Sequence, residues 1–512
     1  MIQVSAKGSL ILVLGQMGST LISAIGTILI ARALGSTYFG VISIAQIPVN
    51  IALLLLSNGV GSAMIKYLAE NRYEENKQSL RKIVLAGFSV NVVIGLMASI
   101  SLYMLAGYIA NQVFQIAELA QLIKILSVSV LAQSLLNTSY AVFVGYERMG
   151  IRSIVSMLYS ILKSVIGPVL VFLGYGVVGA AYGHTLPYLA TGIVAVFLII
   201  LFFRGEPSSS SNSFFHYVLL ISRYAYPLFF SNLLSGSLNQ VFHFILPFYV
   251  SSSLMGNFSA ATSFSVLVTL FTTPLSTATF PLLSKLKPDD GVLGFVFQSI
   301  IKYESMIVFP VAAAVFALSG HLVEILYGVT YPSTPFFIQI LMLNYLFIGL
   351  GDTVVGNLLN SQRETKVTFQ MTLIYLFIGT PMGLILIPKL GVVGFQITQM
   401  FASKLGLFYA LWWIKGKYRI SVDMDTTFKI TVSTLIGFIS CIVITNLIDV
   451  NPWVELMLSG GVLAVSYLLS ILLTGALTRK NVEDIHSIAA EYKRMKRIVD
   501  PLFAVLYRLS KN

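Results

Sequence analysis

The sequence has little charge and almost no cysteine. Only 10% of its 512 residues are charged and 56% are apolar, whereas about 25% of the residues of a soluble protein are charged. So few charges cannot cover the surface of a water-soluble globule of this length. This excludes an ordinary soluble enzyme and predicts a surface that faces lipid. The single cysteine, Cys441, excludes an internal disulfide framework and a cysteine-rich metal site.

Motifs for phosphate and metal chemistry are also missing. No glycine-rich loop ends in Gly-Lys-Ser or Gly-Lys-Thr, so the chain is not expected to hydrolyse ATP. The five histidines stand singly, without a cluster at metal-ligand spacing. We therefore expect no metal, no other cofactor and no enzymatic activity. The first apolar run is longer than a signal-peptide core and lacks a cleavage pattern, which favours a retained helix.

Long apolar runs dominate what is present. A helix that crosses the hydrocarbon layer needs about 20 mostly apolar residues. We count fourteen such runs, at 9–31, 38–63, 83–109, 119–144, 153–173, 177–202, 225–249, 254–283, 296–319, 335–359, 367–388, 391–414, 428–448 and 454–476. The sequence thus predicts an all-α polytopic membrane protein with fourteen transmembrane helices, numbered 1 to 14 below.

The distribution of Lys and Arg predicts the orientation of these helices. Of the 32 basic residues, 27 fall in the tails and loops of one side, only Arg32 and Lys389 fall on the other, and Lys124, Lys163 and Lys404 lie within spans. Cytoplasmic loops carry the excess of positive charge, so both termini are predicted to be cytoplasmic, in a multi-pass protein of the cell membrane. The net charge of +12 is therefore a signal of topology and does not indicate a nucleic-acid partner.

The chain also resembles itself at an offset of 215 residues. Gly176-Val177-Val178-Gly179 matches Gly391-Val392-Val393-Gly394, Arg148 matches Arg363, and at an offset of 216 Gly40 meets Gly256. This predicts two six-helix repeats. Because six is even, both repeats have the same topology, and parallel repeats of this kind enclose a central transport site. A channel or a membrane-embedded enzyme stays open at this point.

The repeat sets the predicted domain boundaries. The N-terminal bundle is 1–205, the cytoplasmic linker 206–224, the C-terminal bundle 225–415, and helices 13 and 14 occupy 416–478. The tail, 479–512, has apolar residues at helical spacing with basic residues between them. It is predicted to be a cytoplasmic amphipathic helix, held by anionic membrane lipids or by a partner protein.

Ionisable groups deep in a span are functional candidates, because they are costly in hydrocarbon. Lys163 and Lys404 each lie about 15 Å from the nearer surface at 1.5 Å per residue. Each is either a cavity cation that binds an anionic head group or a structurally paired lysine. Arg32 and Lys124, at the outer ends of helices 1 and 4, either snorkel to the interface or contact substrate.

Asp352 is predicted to be the one carboxylate deep in a span, in the middle of helix 10. Its repeat mate is Asn137 of helix 4, and both are candidates for coupling to a proton or sodium ion. Asp352 is alternatively the counter-ion of Lys163 or Lys404. Glu304 is expected near the cytoplasmic end of helix 9, as a solvated residue of the interface.

Helices 1 and 7 carry polar stripes, from which Gln16 and Asn239 are taken as candidate substrate-binding residues. Such stripes either join helices or line a hydrated lumen. Their members are Gln16, Ser19, Thr20 and Ser23 in helix 1 and Asn232, Ser235, Asn239 and His243 in helix 7.

Several segments resemble one family. Residues 31–40, Ala-Arg-Ala-Leu-Gly-Ser-Thr-Tyr-Phe-Gly, resemble the signature that follows helix 1 in polysaccharide biosynthesis flippases of the multidrug/oligosaccharidyl-lipid/polysaccharide (MOP) exporter superfamily. Residues 325–331 resemble that family's Leu-Tyr-Gly-x-x-Tyr segment. Residues 145–148 and 360–363 and the Gly-x-x-Gly pairs that open helices 6 and 12 are also similar. The resemblance covers about residues 1–415.

The resemblance implies a flippase with a MATE-like fold. Such a protein moves a polyprenyl-phosphate- or pyrophosphate-linked oligosaccharide to the outer leaflet, with the head group in a cationic cavity and the tail in lipid. Lys163 and Lys404 would meet the phosphate, helices 13 and 14 would guide the tail, and glycan-assembly enzymes would be partners. The alternative is a proton- or sodium-coupled multidrug exporter of the same superfamily. A membrane glycosyltransferase is disfavoured, because every predicted outer loop is short.

Overall fold

The computed structural model consists of helices. It describes residues 2–56, 59–73, 77–203, 213–287, 291–448, 450–478 and Glu483. Over these ranges the chain forms seventeen α-helices and no β-strand, with short π-helical or 3₁₀ segments at 109–113, 171–175, 246–248 and 345–350. The first part of the predicted linker, 206–212, and all of the predicted tail except Glu483 lie outside the described residues.

The helices group into two compact units. The first unit comprises residues up to Ser263 together with Gly383–Phe395. Its helices are α1 (Ile2–Leu54), α2 (Gly59–Tyr73), α3 (Lys77–Tyr108), α4 (Leu119–Gly145), α5 (Met149–Leu170), α6 (Gly176–Phe202), α7 (Phe214–Ile245) and α8 (Ser252–Ser263). The end of the predicted linker is thus helical, because α7 begins at Phe214.

The second unit comprises Phe264–Met382 and the residues from Gln396 onward. Its helices are α9 (Ser265–Ser284), α10 (Val292–Ala317), α11 (Ser319–Tyr327), α12 (Thr334–Asn344), α13 (Val355–Ser361), α16 (Met424–Leu447) and α17 (Pro452–Leu473). Two further helices, α14 (Thr365–Leu390) and α15 (Val392–Tyr418), contribute residues to both units. These two units are groups of residues in mutual contact. They do not test the predicted domain boundaries, which remain a prediction.

The protein is a multi-pass membrane protein. In the part of the chain that the structure describes, nine helical segments are long and apolar enough to cross a membrane, or ten if the bent pair Thr334–Leu350 and Val355–Ser361 is one span. Large apolar side chains are exposed along these segments, among them Met104 (76% exposed), Met457 (75%) and Phe377 (71%). Surfaces of this kind are stable only against hydrocarbon.

Glycines end two of the predicted spans inside long helical segments. Gly35 has φ 71° and ψ 170° within α1, between predicted helices 1 and 2. Gly174 has φ 92° between α5 and α6, where predicted helix 5 passes into helix 6. Because left-handed backbone costs glycine little, these two positions let the chain kink between the predicted spans without a long loop.

Predicted helix 10 is not continuous. The sequence predicts one helix over 335–359, but the structure has α12, a 3₁₀ segment at 345–350 and then α13, with a bend of 44°. Gly351, with φ 87°, ends the 3₁₀ segment, and Asp352 follows it directly. Asp352 therefore lies in a helix break. Here some backbone N–H and C=O groups are not engaged in helical hydrogen bonds, and the chain can bend.

Two glycines, Gly40 and Gly256, let α1 and α8 come into close contact. A Cβ atom at Gly40 would lie 1.7 Å from the carbonyl oxygen of Ser252, and one at Gly256 would lie 1.8 Å from that of Ser36. The contact is reciprocal: the glycine of each helix meets a serine of the other helix. In each helix that serine precedes the glycine by four residues. The Ser36 and Ser253 hydroxyls are 3.0 Å apart beside it. Only glycine permits backbones to approach this closely.

Candidate functional site

A polar cavity of about 300 Å³ lies within the first unit. Residues of α1, α5, α6, α7 and α8 line it. Its polar lining consists of Thr27, Ser43, Gln46, Asn50, Lys163, His184, Gln240, His243, Ser259, Thr262 and Ser263. The described lining contains one lysine and no carboxylate, so the cavity suits a ligand with a negative charge and several hydroxyl groups.

Lys163 is the charged group of this cavity. It projects from α5 and is partly buried, and no described residue forms a hydrogen bond or ion pair with it. The neighbouring ring of His184 packs edge-on against Tyr188, with ring centroids 5.4 Å apart, and Tyr188 packs against Tyr159 at 4.4 Å. These aromatic contacts fix the wall beside the lysine. A phosphate placed here would supply the counter-ion that the described residues do not.

Serine side chains hold α5 against α1 and so position Lys163. The hydroxyls of Ser19 and Ser160 are 2.5 Å apart, and Ser23 donates to Ser160 at 3.0 Å. Ser164, one residue after Lys163, donates to the carbonyl of Ile22. The stripe predicted in helix 1 thus joins helices at Ser19 and Ser23. Gln16 is exposed on the same helix and does not line the cavity.

Lys404 stands in a different environment from Lys163. Its ammonium lies 2.6 Å from the Asp352 carboxylate and 5.0 Å from the centroid of the Phe347 ring. The lysine side chain is only 5% exposed and the aspartate 28%. Of the alternatives that the sequence leaves open, the structure shows Asp352 in an ion pair with Lys404 in the second unit.

Glu304 is buried, contrary to its sequence-based placement. Because α10 begins at Val292, Glu304 lies about 18 Å along the helix at 1.5 Å per residue, and it is 1% exposed. The Thr353 hydroxyl donates to one carboxylate oxygen at 2.6 Å. The other oxygen, Oε1, is buried without a hydrogen-bond partner in the described structure. The expectation of a solvated interface residue is wrong, and Asp352 is not the only carboxylate deep in a span.

The other predicted site residues lie apart from the polar cavity. Arg32 and Asn239 are exposed, on α1 and α7. Lys124 is exposed on α4, with its ammonium 5.6 Å from the centroid of the Tyr103 ring. Asn137 is also exposed on α4. None of these four belongs to the described lining of the cavity.

Sequence reasoning missed Gln46, Asn50 and His184 in the cavity wall. The sequence does contain a signal for them, because all three are polar residues well inside predicted spans. Like Lys163 and Lys404, such residues are functional candidates. Gln46 and Asn50 are four residues apart, and so share one face of α1. The placement of Glu304 needed the true start of α10, which apolar periodicity does not locate to within a few residues.

An apolar pocket of about 870 Å³ adjoins the polar cavity through Gln240, which lines both. Its walls are the C-terminal part of α1, α3 and α7, including Ile51, Met97, Leu102 and Phe244. The volume falls in the range of ligand pockets, roughly 300–1,000 Å³. Polar and apolar spaces that share a wall residue suit an amphiphilic molecule.

The profile of the polysaccharide biosynthesis protein family matches residues 29–335, more than half of the chain. The chain belongs to this family. The resemblance to polysaccharide biosynthesis proteins stated from the sequence motifs is thereby confirmed. In this polysaccharide biosynthesis protein the match covers every residue that lines the polar cavity except Thr27.

Among curated proteins, the chain is 26% identical over 271 residues to the probable flippase AglR of Haloferax volcanii, a match that covers 52% of this chain and 55% of AglR. The chain thus spans about half the length of that relative. It is also 23% identical over 456 residues to an uncharacterized membrane protein of Methanocaldococcus jannaschii, covering 84% of this chain and 87% of the relative.

Solved structures show the fold. The lipid II flippase MurJ, in an inward closed conformation, superposes with a TM-score of 0.73 and 17% identity, covering 90% of this chain and 98% of MurJ. An inward-facing multidrug resistance MATE transporter of the MOP superfamily superposes with a TM-score of 0.64 and 15% identity, covering 78% and 94%. The MATE-like helical fold implied by the motifs is thus confirmed, while the count of fourteen helices stays a prediction.

Because Lys404 and Asp352 form an ion pair, we expect either single substitution to destabilise the protein more than the double substitution does. Lys404→Met or Asp352→Asn leaves one charge without its partner, so each single variant should lose about 3 kcal/mol of stability. The double variant should recover most of that loss. Thermal unfolding of the detergent-purified protein measures this.

The ion pair of Lys417, an exposed lysine of the same helix as Lys404, serves as the control. Lys417 contacts Glu364 and is 48% exposed, so Lys417→Met should cost about 1 kcal/mol or less. A double Lys404→Met/Asp352→Asn variant no more stable than the worse single variant would contradict the importance of the pair.

Proposed function

We propose that this protein is a flippase that moves a polyprenyl-phosphate- or pyrophosphate-linked oligosaccharide from the cytoplasmic to the outer leaflet by alternating access, for polysaccharide or glycoprotein assembly. One observation carries the proposal: the polar cavity of the first unit holds Lys163, which has no ion partner among the described residues, and its described lining has no carboxylate. A lysine in a low-dielectric site attracts a phosphate strongly. Amide and hydroxyl side chains around it offer hydrogen bonds to sugar hydroxyls.

The adjoining apolar pocket suits the other part of such a substrate. Polyprenyl chains are hydrocarbons, and the walls of the 870 Å³ pocket are almost entirely aliphatic and aromatic. With the phosphate near Lys163 and the sugar in the polar cavity, the first isoprene units would extend past Gln240 into this pocket. The family resemblance implies that helices 13 and 14 guide the tail. They would then contact isoprene units farther from the phosphate.

The names of similar proteins favour the same activity. AglR is a probable flippase and MurJ flips lipid II. For this chain we propose a transporter that is not itself an enzyme, in the cell membrane, with glycan-assembly enzymes as partners.

We also propose the fourteen-helix, parallel-repeat architecture, with both termini cytoplasmic and the domain boundaries given above. Equivalent positions share backbone conformation, which supports the repeat: Gly176 has φ 54° and Gly391 has φ 56°, at the offset of 215. Residues just after helices 4 and 10 are also similar, since Glu147 (φ 55°) and Arg363 (φ 64°), at an offset of 216, are both left-handed. The two long helical segments, 43 and 54 residues, each have the length of two crossings at about 20 residues apiece.

The second candidate is a cation-coupled multidrug exporter, which the likeness to MATE transporters favours. Lys163 counts against it at this cavity. A cationic drug would meet a like charge there, and like charges in a site of low dielectric repel each other. The described lining offers no carboxylate to offset that repulsion.

Reconstitution in proteoliposomes distinguishes the two functions. The purified protein should expose a polyprenyl-phosphate-linked sugar to a membrane-impermeant lectin far faster than protein-free liposomes do. It should not accelerate the movement of a cationic dye under the same gradients. Dye transport without any movement of the lipid-linked sugar would overturn the flippase proposal in favour of the exporter.

A further inference from the structure

The buried carboxylate of Glu304 has an incomplete set of partners. Thr353 donates to Oε2 at 2.6 Å, while Oε1 has no hydrogen-bond partner among the described residues. The side chain lies in the middle of α10 at 1% exposure. An ionised carboxylate in such a place lacks both water and a full set of donors, which is strongly unfavourable, whereas a protonated carboxyl is neutral.

Nearby cations do not neutralise Glu304. The buried ammonium of Lys404 is already in contact with Asp352 at 2.6 Å. Thr353, the donor to Glu304, is the residue next to Asp352, so the two carboxylates belong to one cluster that contains a single lysine. If both carboxylates were ionised, the cluster would carry a net negative charge, with the Glu304 carboxylate fully buried. One added proton balances it.

Other titratable groups on the helices packed around Glu304 have neighbours of their own. Lys429 contacts Asp425 at the start of α16, the Tyr467 hydroxyl of α17 donates to the Met306 carbonyl, and His321 of α11 pairs with Glu455 of α17. Helices α9 and α12 contain no titratable side chain. The remaining groups are Lys302 and Tyr303 on α10, Glu324 and Tyr327 on α11, Tyr345 before the break, Asp423 before α16, and Cys441 on α16.

A metal cation fits the cluster less well than a proton. No group of three or more histidine, cysteine or carboxylate side chains in the described chain is arranged to hold a metal ion. The Lys404 ammonium, in contact with Asp352, would also repel a metal cation there. A proton needs only one carboxylate oxygen, and Oε1 of Glu304 accepts no hydrogen bond from the described residues.

We propose that Glu304 binds the proton that couples transport, an inference that rests on the proposed flippase function. The carboxylate takes up a proton from one side of the membrane and the neutral acid is the form stable in this buried state. When Glu304 releases the proton to the other side of the membrane, the cluster contains two ionised carboxylates and one lysine. The broken helix at Gly351 to Thr353 joins these groups, so the change of charge acts directly on a segment able to bend.

Infrared difference spectroscopy tests proton binding without any transport. On a jump to alkaline pH, the purified protein should lose a protonated carboxylic acid band, and Glu304→Gln should lack this change. Glu324→Gln is the matched control, because Glu324 is an exposed glutamate of the second unit and its substitution should leave the band intact. A band that persists in Glu304→Gln would overturn the proposal.

Flipping in proteoliposomes supplies the second readout. An outside-acid gradient should stimulate flipping of the lipid-linked sugar in wild type and in Glu324→Gln, and the stimulation should be lost in Glu304→Gln while gradient-free exchange continues. Stimulation that survives in Glu304→Gln overturns the inference and leaves the flippase proposal standing. A Glu304-dependent band in a protein that moves no lipid-linked sugar supports proton binding while the flippase proposal fails.

Discussion

Lys163→Ala should reduce flipping of a polyprenyl-phosphate-linked sugar by about 10- to 100-fold while the protein still folds. Hydrogen bonds to charged groups contribute about 1.5–3 kcal/mol, and each 1.4 kcal/mol corresponds to about tenfold in an equilibrium constant. Lys163 is the one charged side chain in the described lining of the polar cavity, so no neighbour takes over its contact with phosphate. Initial rates in proteoliposomes measure the effect.

Two variants separate this role from a general effect of losing a lysine. Lys163→Arg keeps the charge and should retain much of the activity. Lys389→Ala removes an exposed lysine near the end of α14 and should leave the rate unchanged. Folding is monitored by thermal unfolding, which should change little in Lys163→Ala because the lysine has no ion partner among the described residues. Full flipping activity in Lys163→Ala would contradict the cavity-cation role.

The second large effect is expected from locking α1 to α8. The Ser36 and Ser253 hydroxyls are 3.0 Å apart, so cysteines at these positions should form a disulfide on oxidation. In the proposed mechanism the two repeats rock against each other, and α1 and α8 belong to different predicted repeats. The oxidised Ser36→Cys/Ser253→Cys protein, in a Cys441→Ser background, should lose flipping, and a reductant should restore it.

The reversibility of the block is the informative measurement. Each single cysteine variant treated with the same oxidant should keep its activity, which controls for damage unrelated to cross-linking. Gel mobility after proteolysis between the two positions reports how much protein is cross-linked. Undiminished flipping by fully cross-linked protein would show that this helix contact stays closed throughout transport. The proposal that α1 and α8 separate during alternating access would then be wrong.

Local chemistry made several features predictable from the sequence. The low charge content predicted a membrane protein, because lipid-facing surface cannot carry charges. The predicted spans separate at Gly35 and at Gly174, where the structure has left-handed glycines. The motif at 31–40 and its companions identified the family that the profile match confirms. Each of these signals resides in a short stretch of chain.

Pairing between distant residues was not predictable in the same way. Lys163 and Lys404 look alike in the sequence, as lone lysines at similar depth, but only Lys404 meets a carboxylate, from a residue 52 positions away. The helix 1 stripe likewise meets its partners on α5 at a separation of 137 residues or more. Hydrogen bonds over such distances depend on how helices are rotated and packed, which local pattern does not specify.

By itself the sequence determined the membrane class, the family and the candidate residues, because burial in lipid imposes its composition span by span. The tertiary structure decided which of those candidates share a site. It placed Lys163 in a cavity with Gln46, Asn50 and His184, and it brought Glu304 beside the break at Asp352. The physical reason is that the cost of a buried charge depends on the groups around it in space, and only packing of the helices supplies or withholds them.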